Sequence, residues 1–324
     1  MPLLGKTPRA FIIAALVILL LSALSLSLIP RFTSTPNNVS RAVTPLTTVN
    51  SNPSLIIPTS YADTAKVSTF PTSMARTTNS SGSGVAPGAP NTNVPTTGVI
   101  VPLYSYPGPD WTAVVQAKLA HPSVPVVAVI NPSNGPGATQ DQNYVQGVDR
   151  LRAAGVTVLG YVYTSYADRN ASSVLADINS YKAWYAVNGI FFDEMSNVAG
   201  SESYYAALSS HAKSIGLTFT VGNPGESVPA SFIGTVDCIV VYESQGLPSS
   251  SSTAAWTMGM SKGNFALMAY GVDQSNISST RSLTGAVAYV YLTDGSMPNP
   301  YGALPGYFAS LVASLDNAGQ PKNS

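Results

Sequence analysis

From Gly98 onward the chain repeats one pattern: a short β-branched and aromatic run, then a longer helix-like stretch. The strand candidates are Val99–Tyr104, Pro125–Asn131, Val156–Tyr163, Gly189–Asp193, Leu217–Gly222, Cys238–Tyr242, Phe265–Tyr270 and Val287–Thr293. Between them, Trp111–Ala120, Asp141–Ala154, Ser172–Val187 and Glu202–Ile215 carry helical character, and Asp110 is placed to cap the first. Eight such units in about 220 residues predict an α/β fold, a single closed parallel (β/α)₈ barrel of the TIM type. An open doubly wound sheet is the runner-up. Runs such as Val126-Val-Ala-Val-Ile130 are continuously apolar, as expected of strands covered on both faces. The helix after Asn223 is poorly marked, which leaves the fifth and sixth units the least defined.

The chain ahead of the barrel has a different texture. Ala10–Ile29 is a run of 20 uncharged residues preceded by Lys6 and Arg9. It is long enough to cross a bilayer, with its basic flank in the cytoplasm. The reading favours an uncleaved anchor over residues 1–30. A cleaved signal peptide is the alternative, with a site hidden near Ser22-Ala-Leu-Ser. Either places the rest of the chain in an extracellular setting, held at the membrane through this segment only or secreted. Residues 31–97 are rich in Ser, Thr, Pro and Asn and poor in apolar groups, so they read as a disordered linker. Asn38 and Asn79 lie in glycosylation sequons there. The barrel then occupies 98–318.

Composition removes several functions. Only 9% of the 324 residues are charged, and 15 basic groups balance 15 acidic ones, so no nucleic-acid footprint exists. Cys238 is alone, within an apolar run, and reads as a buried thiol. Two histidines, His121 and His211, sit in helix-like stretches, which leaves no metal site and no Ser-His-Asp triad. Neither G-x-G-x-x-G nor a Walker sequence occurs, so no cofactor is expected. The Asn134-Gly-Pro-Gly137 stretch reads as a turn rather than a phosphate cradle.

In a barrel of this kind chemistry gathers at the C-terminal strand ends. Those ends carry Tyr104 and Tyr106, Asn131, Tyr163 and Tyr166, Asp193 and Glu194, Asn223, Tyr242 and Glu243, Tyr270 and Asp294. Tyrosines offer flat faces for pyranose rings, and Asn and Asp bridge hydroxyls. The chain has four glutamates, and Glu194 and Glu243 each end a strongly apolar strand. A carboxylate there is costly unless solvated, paired or functional. Strands four and six are separated by one strand, so their end groups can face each other. Glycosidic hydrolysis needs two carboxyls across one bond. Asp193, Glu194 and Glu243 are therefore the catalytic candidates, and strand alternation predicts that one of the adjacent pair enters the mouth. Glu202 suits a helix start, Asp237 lies at the far end, and Glu226 is a weaker contact candidate. Asp168 and Arg169 are expected to pair with each other or to hold the mouth in shape.

At these residues the sequence resembles a known family. Val101-Pro-Leu-Tyr-Ser-Tyr-Pro107, Val129–Gly137, Gly160-Tyr-Val-Tyr-Thr164 with Arg169, Gly189–Glu194, Asn223-Pro-Gly225 and Tyr242-Glu243 are similar, in that order, to the spherulin-4 family, glycoside hydrolase family 135. The likeness spans about Gly98 to Leu315. It implies a (β/α)₈ fold and endo-acting, retaining hydrolysis of α-1,4-linked galactosamine and N-acetylgalactosamine polymers. Its acidic residues carry over to Asp193, Glu194 and Glu243, while the strand-end tyrosines and asparagines above, with Arg169 and Asp294, are expected to contact the substrate. The loop after strand six, Ser244-Gln-Gly-Leu-Pro248, departs from the family's aromatic pattern. A polysaccharide is the expected partner, and a monomer the expected state. The competing reading is a carbohydrate-binding or cell-surface barrel without catalysis.

Overall fold

The computed structural model describes residues 96–249, 252 and 260–316. Within them, eight parallel strands close into a barrel in chain order. They are β1 (Gly98–Leu103), β2 (Val126–Ile130), β3 (Thr157–Tyr163), β4 (Gly189–Asp193), β5 (Phe219–Gly222), β6 (Cys238–Gln245), β7 (Phe265–Tyr270) and β8 (Tyr289–Leu292). Closure comes from β1 pairing with β8, Gly98 opposite Tyr289 and Val99 opposite Val290. The closed barrel, not the open sheet, is the fold. The expected membrane segment, the expected linker and the sequons at Asn38 and Asn79 lie outside the described residues, and among those described no helix is long and apolar enough to cross a membrane.

The helices are α1 (Pro109–Ala120), α2 (Gln142–Ala153), α3 (Ala171–Tyr185), α4 (Glu202–Ser214), a single turn α5 (Thr280–Leu283) and α6 (Phe308–Asp316). After β5 the described connection holds only a 3₁₀ turn, Ala230–Phe232, which accounts for the weak helical signal beyond Asn223. One expectation fails. Asp110 does not cap α1; Gly108 is the N-cap without a side-chain bond, and Asp110 sits inside the first turn. The cap role falls to Asp141 on α2, whose carboxylate accepts from the Asn143 and Tyr144 amides.

Every residue of β2 is buried, and the whole inner run of β4 to Phe192 likewise. Both strand faces are therefore covered, one by the barrel interior and one by helices. The close approach is visible at Gly160, where a Cβ would lie 2.4 Å from the Tyr181 ring of α3. Only glycine lets that ring lie flat on β3.

The far end of the barrel is held by charge pairs that the function does not need. Asp237 accepts from Lys213 at 2.7 Å and from the Thr220 amide at 2.8 Å. His121 binds Asp316 at 2.9 Å, tying the end of α1 to the end of α6, and His211 meets Asn179. Cys238 is fully buried, and burial pushes its thiol well up. Its structural reading stands.

Candidate active site

The strand ends build the mouth from β4, β5 and β6. β4 delivers Asp193, β5 is followed by Asn223, and β6 carries Glu243 within its extended part. The Asn223 amide nitrogen donates to Asp193 Oδ1 at 2.9 Å and to Glu243 Oε2 at 2.6 Å. Two bonds from one nitrogen put those oxygens at most 5.5 Å apart, the sum of the two lengths. Asn223 is itself fixed: its backbone joins Phe192 and Met195, and its side-chain oxygen accepts from Gly225 N at 3.0 Å. It is buried, 6% exposed, so this bridge works away from bulk water.

Glu243 reaches the mouth through an irregularity. The β6–β7 register slips between Val240 and Tyr242. Such a bulge resets which face each later side chain occupies. Simple alternation from Cys238 therefore does not give the facing of Glu243.

The two carboxyls differ in their surroundings. Burial raises both above the ordinary range. Asp193 is then drawn back by donors: the Tyr161 hydroxyl at 2.8 Å, the Asn223 amide and the Glu194 backbone N–H. Glu243 is raised further by the negative charge of Asp193, against weaker relief from Asn223 and Tyr301. Hydrogen bonds to a carboxylate favour its charged form, whereas a like charge nearby favours the proton. The donors thus favour the charged form of Asp193 against its burial, and the charge of Asp193 favours the proton on Glu243. Among the described residues, no lysine, arginine or histidine is paired with either.

Glu194 stands apart from the bridge. Its backbone is left-handed at φ 50°, and burial and Asp193 raise its carboxyl while the Ser165 amide and hydroxyl oppose them. Opposite it, Ser165, Tyr166 and Ala167 are three successive left-handed non-glycine residues, at φ 47°, 56° and 77°. Each such residue costs on the order of 1–2 kcal/mol. Thr164 holds the turn in place: fully buried, its hydroxyl donates to Asp193 O at 2.9 Å or to Glu194 O at 2.8 Å, while Tyr166 N donates to Glu194 O at 2.7 Å. The turn leaves Tyr166 55% exposed, within the electrostatic reach of Glu194, Asp193, Glu243 and Glu226.

Other expected residues divide between this centre and its surroundings. Tyr104 belongs to the centre: its hydroxyl is raised by burial and by Asp193 and Glu243, and its ring packs edge-on to Tyr161 at 5.7 Å. Tyr163, Arg169 and the 133–138 loop line a separate polar hollow of about 280 Å³. There Arg169 lies 4.0 Å over the Tyr163 ring and pairs with Asp177 at 2.7 Å. Its expected pairing with Asp168 gives way to Asp177 because α3 brings that residue beneath the guanidinium. Asn131 spends its side-chain oxygen on Gly135 N at 2.9 Å, holding the loop rather than opening toward the carboxylates. Tyr106 lies on the rim against α2, bonded to Asp141 and Asn143. Tyr242 donates to Gly246 O at 2.9 Å, near Tyr270, and Asp294 is exposed beyond β8. Glu202 bonds Gly200 N and Ser231, and Glu226 accepts from Asn197 at 2.7 Å on the surface.

Three centre residues escaped the sequence reading: Tyr161, Thr164 and Tyr301. Tyr161 sits mid-strand and reads as core. Tyr301 stands well past β8, on a loop folded back through Gly295, where a Cβ would meet Pro300 O at 2.1 Å. Its hydroxyl faces Glu243 from beside Tyr104 and Tyr291, without a hydrogen bond of ordinary length.

Fold and site together define a closed parallel barrel with an amide-bridged carboxylate pair at its C-terminal face. Residues 98–315 match the model of spherulation-specific family 4, Spherulin4. The chain belongs to that family. It is similar to spherulin-4 of Physarum polycephalum, 34% identical over 234 residues that cover 67% of this chain and 69% of that protein. Among solved structures it resembles Aspergillus clavatus Sph3, crystallised in complex with GalNAc, at a TM-score of 0.64 and 28% identity, covering 68% of this chain and 98% of that one.

Proposed function

We propose that the barrel is an endo-acting glycoside hydrolase that cleaves an extracellular amino-sugar polysaccharide, of the α-1,4-linked galactosamine and N-acetylgalactosamine type, with retention. The observation that carries this reading is the single Asn223 amide bonded to both Asp193 and Glu243. Bonded oxygens at most 5.5 Å apart fit a retaining pair, whose carboxyls lie about 5–5.5 Å apart, better than an inverting pair at about 6.5–9.5 Å. Asp193, with its three donors, is the nucleophile. It attacks the anomeric carbon as Glu243 gives its proton to the leaving oxygen. Water then attacks the glycosyl-Asp193 ester while Glu243 takes its proton. Tyr166 offers an exposed ring beside the pair for sugar stacking. GalNAc bound to Sph3 supports the amino-sugar class. The protein acts outside the cytoplasm, held by its N-terminal segment or released from it.

The test is reducing-end release by the full-length protein from a panel of amino-sugar and neutral polysaccharides. Hydrolysis is expected on the galactosamine polymers, falling at least ~10³-fold in Asp193→Asn and in Glu243→Gln, near the upper part of the range for acid–base assistance. A variant that keeps more than about a tenth of wild-type turnover removes its residue from the mechanism.

A further inference from the structure

A buried hydroxyl without a partner works against stability, because it has given up its bonds to water and gained none. Tyr301 is such a group. It is 8% exposed, its buried hydroxyl makes no hydrogen bond of ordinary geometry, and it stands next to the Glu243 carboxyl at the centre of the mouth, where it already eases that carboxyl's ionisation slightly. The groups around Glu243 are few. Asp193 and Asn223 approach from β4 and β5, Tyr104 from β1, Tyr301 from the loop after β8, and Tyr166 from the turn after β3. Asn223 already occupies Oε2. Among the described residues, Tyr301 and Tyr104 bring buried hydroxyls near the carboxyl, with the exposed Tyr166 beyond them, and burial holds the two buried phenols far above the range where they ionise at neutral pH. Tyr301 can therefore donate a hydrogen bond but cannot take the role of acid.

We infer that Tyr301 is a positioning residue that stabilises Glu243 as a carboxylate, its hydroxyl closing onto Glu243 once that residue has released its proton. The inference rests on the assignment of Glu243 as acid and base. In the first step the proton on Glu243 passes to the departing sugar oxygen as the C1–O bond breaks and the C1–Asp193 bond forms. Glu243 is then an anion beside an ester, having lost the charge of Asp193 opposite it. Tyr301 supplies a donor to that anion and keeps its own proton. In the second step Glu243 takes a proton from water as the hydroxyl oxygen bonds to C1 and the ester breaks, and the Tyr301 bond is released. A hydroxyl that stands beside the carboxyl without a bond of ordinary geometry at rest is the form expected of a donor whose full use comes in the middle of the cycle.

Four glutamates make this measurable without activity. In full-length protein carrying ¹³C at the glutamate carboxyls, the Glu243 resonance is the one missing from Glu243→Gln. In Tyr301→Phe its titration midpoint should move up by about one pH unit or more, since a hydrogen bond to a charged group is worth about tenfold or more in such an equilibrium. The melting temperature should stay level or rise, because the variant removes an unpaired hydroxyl. Where the protein is active, the basic limb of kcat/KM should follow the same upward shift. Tyr291→Phe is the control: its hydroxyl is also buried and unpartnered, but its neighbours are Tyr301, Tyr307 and Thr293, so the Glu243 midpoint should stay in place. An unmoved midpoint in Tyr301→Phe, or an equal shift in both variants, overturns the inference. A shifted midpoint in a protein that hydrolyses none of the polysaccharides would instead count against the proposed activity alone.

Discussion

Replacing Asn223 by Ala tests the bridge that the proposed chemistry depends on. The substitution removes the 2.9 Å bond to Asp193 and the 2.6 Å bond to Glu243 together, and also the 3.0 Å bond from Gly225 N. The backbone bonds to Phe192 and Met195 do not depend on the side chain and remain. A hydrogen bond to a charged group contributes about 1.5–3 kcal/mol. Losing the one to Asp193 alone works against the ionised nucleophile by roughly 10–150-fold, at about 1.4 kcal/mol per tenfold. Loss of orientation at Glu243 adds to that, so a fall in kcat of ~10²–10³-fold is expected, with KM changed far less. Both carboxyls also lose a donor to their charged forms, so both limbs of the pH profile should move upward. The assay is initial-rate hydrolysis across pH, with circular dichroism to confirm folding. A folded Asn223→Ala protein within about twofold of wild type, with its limbs unmoved, would refute the bridging argument.

Two further outcomes follow from the same structure. Burial and Asp193 raise Glu243 in the folded state above its unfolded value. Its stabilising contribution is therefore complete below the unfolded carboxylate range and is lost as pH rises through the raised value. Glu243→Gln has no such loss, so its melting temperature relative to wild type should increase from pH 4 to pH 8, and a constant difference would contradict the assigned direction. A protein beginning at residue 96 should fold cooperatively, because Thr97 donates to Thr284 O at 3.0 Å or Val287 O at 2.9 Å and accepts from Lys262, closing the barrel seam. Starting instead at Gly98 should lower the melting temperature measurably. Equal stability of the two forms would show that the seam does not need Thr97.

Much of the molecule was legible in the chain itself. The eight apolar runs and their spacing call for a parallel sheet covered on both faces and favour a closed barrel, and the pairing of β1 with β8 decides for closure. The strand ends then single out Asp193, Glu194, Asn223 and Glu243, since glutamate is scarce here and expensive beside β-branched residues. What the chain alone could not decide was how these groups meet. The β6 bulge changes the facing of Glu243, and no local period carries it. Glu194 follows the end of β4 with a left-handed backbone, so strand alternation does not set its direction, and the turn that receives it depends on Thr164 bonding across to β4. Tyr161 and Tyr301 look like core tyrosines in sequence, because burial and a hydroxyl aimed at a carboxylate leave the same local signature. Arg169 takes Asp177 rather than adjacent Asp168 because helix geometry, not sequence distance, sets which carboxylate lies beneath it. Periodicity fixes the face a side chain occupies on its own element. Hydrogen-bond partners and raised carboxyls come from elements distant in sequence, and only the closed barrel brings those together.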